Sequence, residues 1–109
     1  MKYTIDFTKS NGLVPIIIQD YKTLAVLMLG YMNQTAWQKT IETGRIYFWS
    51  RSRQKLWMKG EKSGNTLQLK AIYIDCDTDA ILIKAKLIGK RVCHTDNRSC
   101  FYTKIGEKI

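Results

Sequence analysis

Asp75-Cys76-Asp77-Thr78-Asp79-Ala80 places three carboxylates at alternate positions. In an extended segment all three project from one face while Cys76 points to the other. Carboxylates crowded in this way repel unless a hard cation neutralises them, and an all-oxygen donor set suits Mg²⁺ or Ca²⁺. The same residues also suit a solvated turn, where Asp is common. An EF-hand is excluded, because the Gly and Glu it needs at loop positions six and twelve are Ala80 and Lys86.

A second cluster is Cys93-His94-Thr95-Asp96-Asn97-Arg98-Ser99-Cys100. Its flanks (Lys90, Arg91) and interior are polar and charged, which predicts a loop. A cysteine alone is commonly a small buried hydrophobe. Thiolates in a reducing compartment select Zn²⁺, and a catalytic zinc takes three protein ligands and leaves one position open. Cys76, Cys93 and Cys100 are all the cysteines of the chain and would complete such a set, although no C-x-x-C pair marks a zinc finger. His94 is the only histidine. It reads either as a surface loop residue or as a general acid/base, since imidazole titrates near neutral pH.

The segment Phe48–Asn65 interleaves Trp49 and Trp57 with Arg51, Arg53, Lys55 and Lys59. Guanidinium groups bind phosphate bidentately and indole rings stack on bases, so Arg51, Arg53, Lys59 and Trp57 are candidate substrate contacts. A basic hairpin with two core tryptophans, or a single-strand nucleic-acid surface, uses the same residues.

The elements that must carry these residues read as α+β. Val14–Ile18 and Leu24–Leu29 are apolar and strand-sized, joined by a hairpin connection at Gln19–Lys22. Pro15 marks a strand edge or start. Asn33 is a helix N-cap, Ala36, Trp37, Thr40 and Ile41 fall at helical spacing, and Gly44 terminates the helix. Arg45–Trp49 reads as a strand, Ser50–Lys55 as a polar tip, and Leu56–Met58 as its apolar return. A loop spans Lys59–Asn65. Leu67, Leu69, Ala71 and Tyr73, then Ile81, Ile83, Ala85 and Leu87, alternate with polar residues at the period of half-buried strands.

The 109 residues fit one domain, residues 1–109. A 45% hydrophobic and 25% charged composition excludes a disordered chain. No apolar run approaches the roughly 18 residues of a membrane span. MKYTIDFTKS has no apolar core of a secretory signal, so a cytoplasmic location with free thiols is expected. The formal charge is +9, concentrated in residues 51–74 and 84–109 around the acidic island of residues 75–83. Such an excess suits a polyanion, either nucleic acid or a small phosphorylated substrate.

Taken in order, G-L-V-P (Gly12–Pro15), V-L-M-L-G-Y-M-N (Val26–Asn33), T-G-R (Thr43–Arg45), F-W-S-R-S-R (Phe48–Arg53), W-M-K-G-E (Trp57–Glu61), S-G-N (Ser63–Asn65), D-C-D-T-D-A and C-H-T-D-N-R-S-C-F resemble the phosphoribosyl-AMP cyclohydrolases of histidine biosynthesis. The resemblance runs from about Gly12 to Phe101. It implies a homodimeric hydrolase that opens the adenine ring of phosphoribosyl-AMP at N1–C6, giving the formimino-aminoimidazole carboxamide ribotide. It also implies Mg²⁺ on Asp75, Asp77 and Asp79, and one Zn²⁺ per subunit on Cys76, Cys93 and Cys100. The resemblance further implies that the zinc set is shared, with Cys76 from one subunit and the Cys93–Cys100 pair from the other, and His94 matches the family's His between the zinc ligands; the proton that the breaking C–N bond needs makes His94 the expected catalytic residue. Many members carry His where Asn65 stands and Gly where Asp96 stands.

The expected architecture is therefore a strand-dominated mixed sheet, partly rolled into a barrel-like form, with one clear central helix, in a homodimer. Its partner is a phosphorylated nucleotide, not nucleic acid or membrane. The rival class is a basic, zinc-containing RNA- or single-strand-binding module, which has no use for three clustered aspartates that repel phosphate. A purely structural subunit leaves both clusters unexplained.

Overall fold

A computed structural model describes residues 5–9 and 11–108. Met1–Thr4 and Ser10, part of the stretch read above as lacking a secretory signal, lie outside them. The described elements are β1 (Val14–Asp20), β2 (Val26–Met32), α1 (Gln34–Thr43), β3 (Tyr47–Ser50), β4 (Lys55–Met58), β5 (Thr66–Ile74) and β6 (Ile81–Ile88). None of the helices described is long and apolar enough to cross a membrane.

β1 alternates cleanly. Val14, Ile16, Ile18 and Asp20 are buried, and Ile17 faces outward. It pairs antiparallel with β2 through a hairpin whose turn is residues 21–25, later than the expected Gln19–Lys22 because Gln19 still pairs with Val26, and parallel with β6, which in turn pairs antiparallel with β5. The result is a mixed sheet of order β2-β1-β6-β5. Pro15 stands one residue before the parallel ladder begins at Ile16 and Ile81, so its missing N–H costs that ladder nothing.

α1 has the predicted ends. Asn33 Oδ1 accepts from the Ala36 N–H at 2.9 Å, and Gly44, at φ 73°, donates its N–H to the Thr40 carbonyl. Thr40 is fully buried without an unpaired atom. Its hydroxyl donates to the Ala36 carbonyl and accepts from the Tyr47 N–H, which fixes the entry to β3.

β3 and β4 form a separate two-stranded ribbon whose tip is residues 51–54. It docks through Phe48, whose ring lies where a Cβ on Gly30 would fall, 2.6 Å away. Only glycine lets the ribbon approach β2 so closely. Ile16, Ile18, Leu27, Met32, Ile46, Phe48, Leu67 and Ile83 make the centre of the core. Among the described residues the strands close no barrel. The ribbon meets β2 through side chains rather than a hydrogen-bonded ladder, so the four-stranded sheet stays open.

Candidate active site and metal-ligating clusters

The three aspartates converge, but not by strand alternation. Residues 75–80 are a turn between β5 and β6, closed by Asp75 N–H to Ala80 carbonyl and Thr78 N–H to Asp75 carbonyl bonds, with Thr78 at φ 60°. Asp75 Oδ1 accepts from the Asp79 and Ala80 N–H groups at 3.0 and 3.1 Å. The expected extended face is thus replaced by a curl. One carboxylate oxygen from each of Asp75, Asp77 and Asp79 still lies within 4.8 Å of the others. Those backbone donors hold the Asp75 carboxyl below its ordinary range, whereas desolvation and then the neighbouring Asp75 charge push Asp79 up. Lys9 donates to the Asp77 carbonyl and lies 3.8 Å from Asp79 Oδ2. A donor set of oxygens alone, short of neutralising charge, fits a hard divalent cation.

The cysteine cluster is a loop, as its polarity predicts. Val92 N–H bonds the Arg98 carbonyl and Cys93 N–H the Asn97 carbonyl, which folds Cys93 back towards Cys100. The loop is sewn to β2. Cys100 N–H donates to the Leu27 carbonyl at 2.7 Å, and the Ser99 hydroxyl to the Val26 carbonyl at 2.7 Å. Cys93 is buried despite its polar flanks, and its Sγ lies 3.0 Å from the Thr95 hydroxyl. The Thr95 hydroxyl lowers the pKa of the Cys93 thiol, while desolvation and then the neighbouring Cys93 thiol raise that of Cys100. Two adjacent thiols suit zinc. Cys76 is exposed and elsewhere: the only group of three His, Cys, Asp or Glu side chains that converges among the described residues is the aspartate set.

Lys59 turns towards this loop. It is half-buried, and its Nζ donates to the Val92 carbonyl. Burial lowers its pKa, opposed by the Cys100 and Cys93 sulfurs. The expected substrate contact is thus also a clamp on the thiol loop.

A cleft of about 520 Å³ runs beside these groups, lined by Arg53, Trp57, Lys59, Glu61, Ser63 and His94 among others. Three of the four proposed substrate contacts and the lone histidine therefore share one cavity, although they come from the ribbon, the Lys59–Asn65 loop and the thiol loop. Arg51 does not join them. Its guanidinium stacks 3.9 Å above the Tyr31 ring, beside a different hollow. Glu61 brings the cleft a carboxylate that the charge pattern alone did not single out. Asn65 braces the backbone: its Oδ1 accepts from the Lys90 N–H at 3.0 Å, so its amide is turned to the start of the thiol loop.

Residues 28–102 match the family model described as phosphoribosyl-AMP cyclohydrolase. Proteins of that name are similar over nearly the whole chain. The one from Syntrophotalea carbinolica is 55% identical over 100 residues, covering 92% of this chain and 80% of its own. One from Clostridium botulinum is 55% identical over 101 residues, covering 93% and 91%. The Geobacter sulfurreducens protein is 52% identical over 101 residues, covering 93% and 81%.

Proposed function

The chain belongs to the phosphoribosyl-AMP cyclohydrolase family, and on that premise we propose that its cleft opens the adenine ring of phosphoribosyl-AMP at N1–C6, a step of histidine biosynthesis carried out in the cytoplasm. The observation that carries the reading is the meeting of His94 with Arg53, Lys59 and Trp57 in one cavity. The substrate is a purine bearing two phosphates, and the cavity offers cationic groups for phosphate and an indole face for the base. Hydrolysis adds water at C6, breaks N1–C6 and delivers a proton to the departing N1. His94, exposed in the cleft, is the residue that carries this proton. Arg53 orients a phosphate, and Lys59, tied to Val92, keeps the loop bearing His94 against the ribbon.

Cys93, Cys100 and Cys76 would hold Zn²⁺, which when bound supplies a Lewis acid that makes water nucleophilic near neutral pH. Asp75, Asp77 and Asp79 would hold Mg²⁺, which supplies charge to orient a phosphate or hydroxyl. Topology argues that one chain does not complete the thiol set. Cys100, in the same loop as Cys93, bonds Leu27 on the β2 edge, and Cys76 follows Ile74 on the β5 edge. Three strand spacings, roughly 14 Å, separate those edges, whereas thiolates on one zinc sit within about 4 Å of each other. Two chains, each lending Cys76 to the other's pair, meet the requirement.

The reading is tested by a spectrophotometric assay with phosphoribosyl-AMP. Ring opening that is abolished by a chelator and restored by zinc supports it; no turnover by the zinc- and magnesium-loaded protein contradicts it. The RNA-binding alternative is not favoured, since a substrate with two phosphates accounts for the basic excess.

A further inference from the structure

Two loops line the cleft, and one side chain ties them together. Lys59, Gly60, Glu61, Lys62 and Ser63 come from the first loop, and His94 from the second. The first is closed on itself: Glu61 N–H donates to the Met58 carbonyl, and Gly64 N–H to the Gly60 carbonyl at 2.8 Å. Asn65 follows this closed loop and leads into β5. The β5–β6 ladder has its outermost pair at Thr66 and Ile88. Past that pair the Asn65 side chain supplies the next bond, its Oδ1 accepting from the Lys90 N–H at 3.0 Å.

The backbone on both sides is fitted to this residue. A Cβ added to Gly89 would collide with Asn65 Oδ1, and one added to Gly60 with the Asn65 carbonyl. Gly89 lies at φ 131° and Gly60 at φ 86°, so each is bent as glycine readily bends and is pressed against Asn65. We propose that Asn65 is a positioning residue for the ring opening. Its amide oxygen fixes the start of the thiol loop against the first loop and so sets where His94 stands in the cleft. The inference rests on the reading of His94 as the proton carrier.

The arrangement of the ties supports this role. Lys59 Nζ grips the Val92 carbonyl and Asn65 Oδ1 grips the Lys90 N–H, so the two ends of one loop hold alternate residues of the other. A single tie would let the thiol loop pivot, whereas two fix its direction. Val92 is buried and His94, two residues on, is exposed, so a small rotation before Val92 displaces the imidazole. A proton carrier works only within hydrogen-bond reach of its target, and a misplacement of about 1 Å can cost about 100-fold in rate. Lys90 is itself exposed, so water replaces the lost acceptor at little cost in stability. The effect of losing the Asn65 oxygen therefore falls on turnover rather than on folding.

The test is steady-state kinetics with phosphoribosyl-AMP on the zinc- and magnesium-loaded wild type and on Asn65→Leu, Asn65→Ala and Asn65→Asp. Amide hydrogen exchange over residues 90–98 is measured on the same samples. Leu fills the space without an acceptor; Ala removes the acceptor without bulk and serves where Leu does not fold, as circular dichroism shows. Asp keeps an oxygen at the accepting position. Leu and Ala should lower kcat about tenfold with KM within about twofold of wild type, and should quicken exchange at Val92 and Cys93. Asp should return kcat to within about threefold. A folded Leu or Ala variant with wild-type kcat overturns the inference, as does an Asp variant no faster than Leu. An inactive wild type overturns the reading on which the inference rests, and unchanged exchange in Asn65→Ala overturns the inference by itself.

Discussion

Arg98 Nη2 donates to Asp20 Oδ2 at 2.8 Å across a separation of 78 residues. The bond joins the thiol loop to the β1–β2 turn. Asp20 is buried to 4% exposure, and its other oxygen accepts from the Lys22 and Thr23 N–H groups. One carboxylate thus shapes a turn and anchors the thiol loop.

Those backbone donors, with Arg98, hold the Asp20 carboxyl below its ordinary value of 3.8 despite its burial. Its contribution to stability is therefore present above about pH 4 and is lost as the pH falls further, through the depressed native pKa. Asp20→Asn should cost about 1–3 kcal/mol at neutral pH and should flatten the acid limb of urea stability against pH. An acid limb identical to wild type in the variant contradicts the assignment.

Metal analysis of the reduced, folded protein should find about one zinc per chain. Cys93→Ala and Cys100→Ala should each lose both zinc and activity, because the remaining thiols cannot fill the donor set. Full zinc retention in either variant removes that residue from the ligands.

Lys59 and Arg53 line the same cleft but differ in what they hold. Lys59→Met leaves the Val92 carbonyl without its partner and loosens the loop bearing His94, so kcat should fall by about tenfold or more. Arg53→Met removes the phosphate contact proposed above and should act mainly on KM. Steady-state kinetics of the two variants separates the roles, and equal effects on KM contradict the clamp.

Asp77→Asn keeps the shape of the β5–β6 turn and removes one charge from the carboxylate group. The Mg²⁺ concentration for half-maximal rate should rise, with zinc content unchanged. A rate that depends on Mg²⁺ as in wild type, in this variant and in the corresponding variants of Asp75 and Asp79, contradicts the Mg²⁺ site.

Much of the fold was legible because its signals are local. The Asn33 and Gly44 caps bound the helix, and alternation in Leu67–Tyr73 and Ile81–Leu87 marks β5 and β6. The parallel pairing of β1 with β6 was not, since it joins residues some 65 positions apart with no turn between them. The aspartates were recognised as a group, but on a wrong local geometry: alternation along a strand and a curled turn both bring carboxylates together, and backbone donors to Asp75 decide for the turn. Arg51 and Arg53 are indistinguishable by type. The Tyr31 ring, brought alongside by packing of the ribbon on β2, takes the first of them out of the cleft. The burial of Cys93 within polar neighbours, and the distance between Cys76 and the other two cysteines, are likewise properties of the folded sheet.

The claim that two chains build each site is tested most directly by mixing inactive Cys76→Ala with inactive Cys93→Ala and assaying phosphoribosyl-AMP ring opening after subunit exchange. In a mixed dimer one site receives both defects and the other receives neither. Random exchange makes about half of the dimers mixed, so activity should return to about a quarter of wild type. No activity after exchange is demonstrated would mean that each site is built within a single chain.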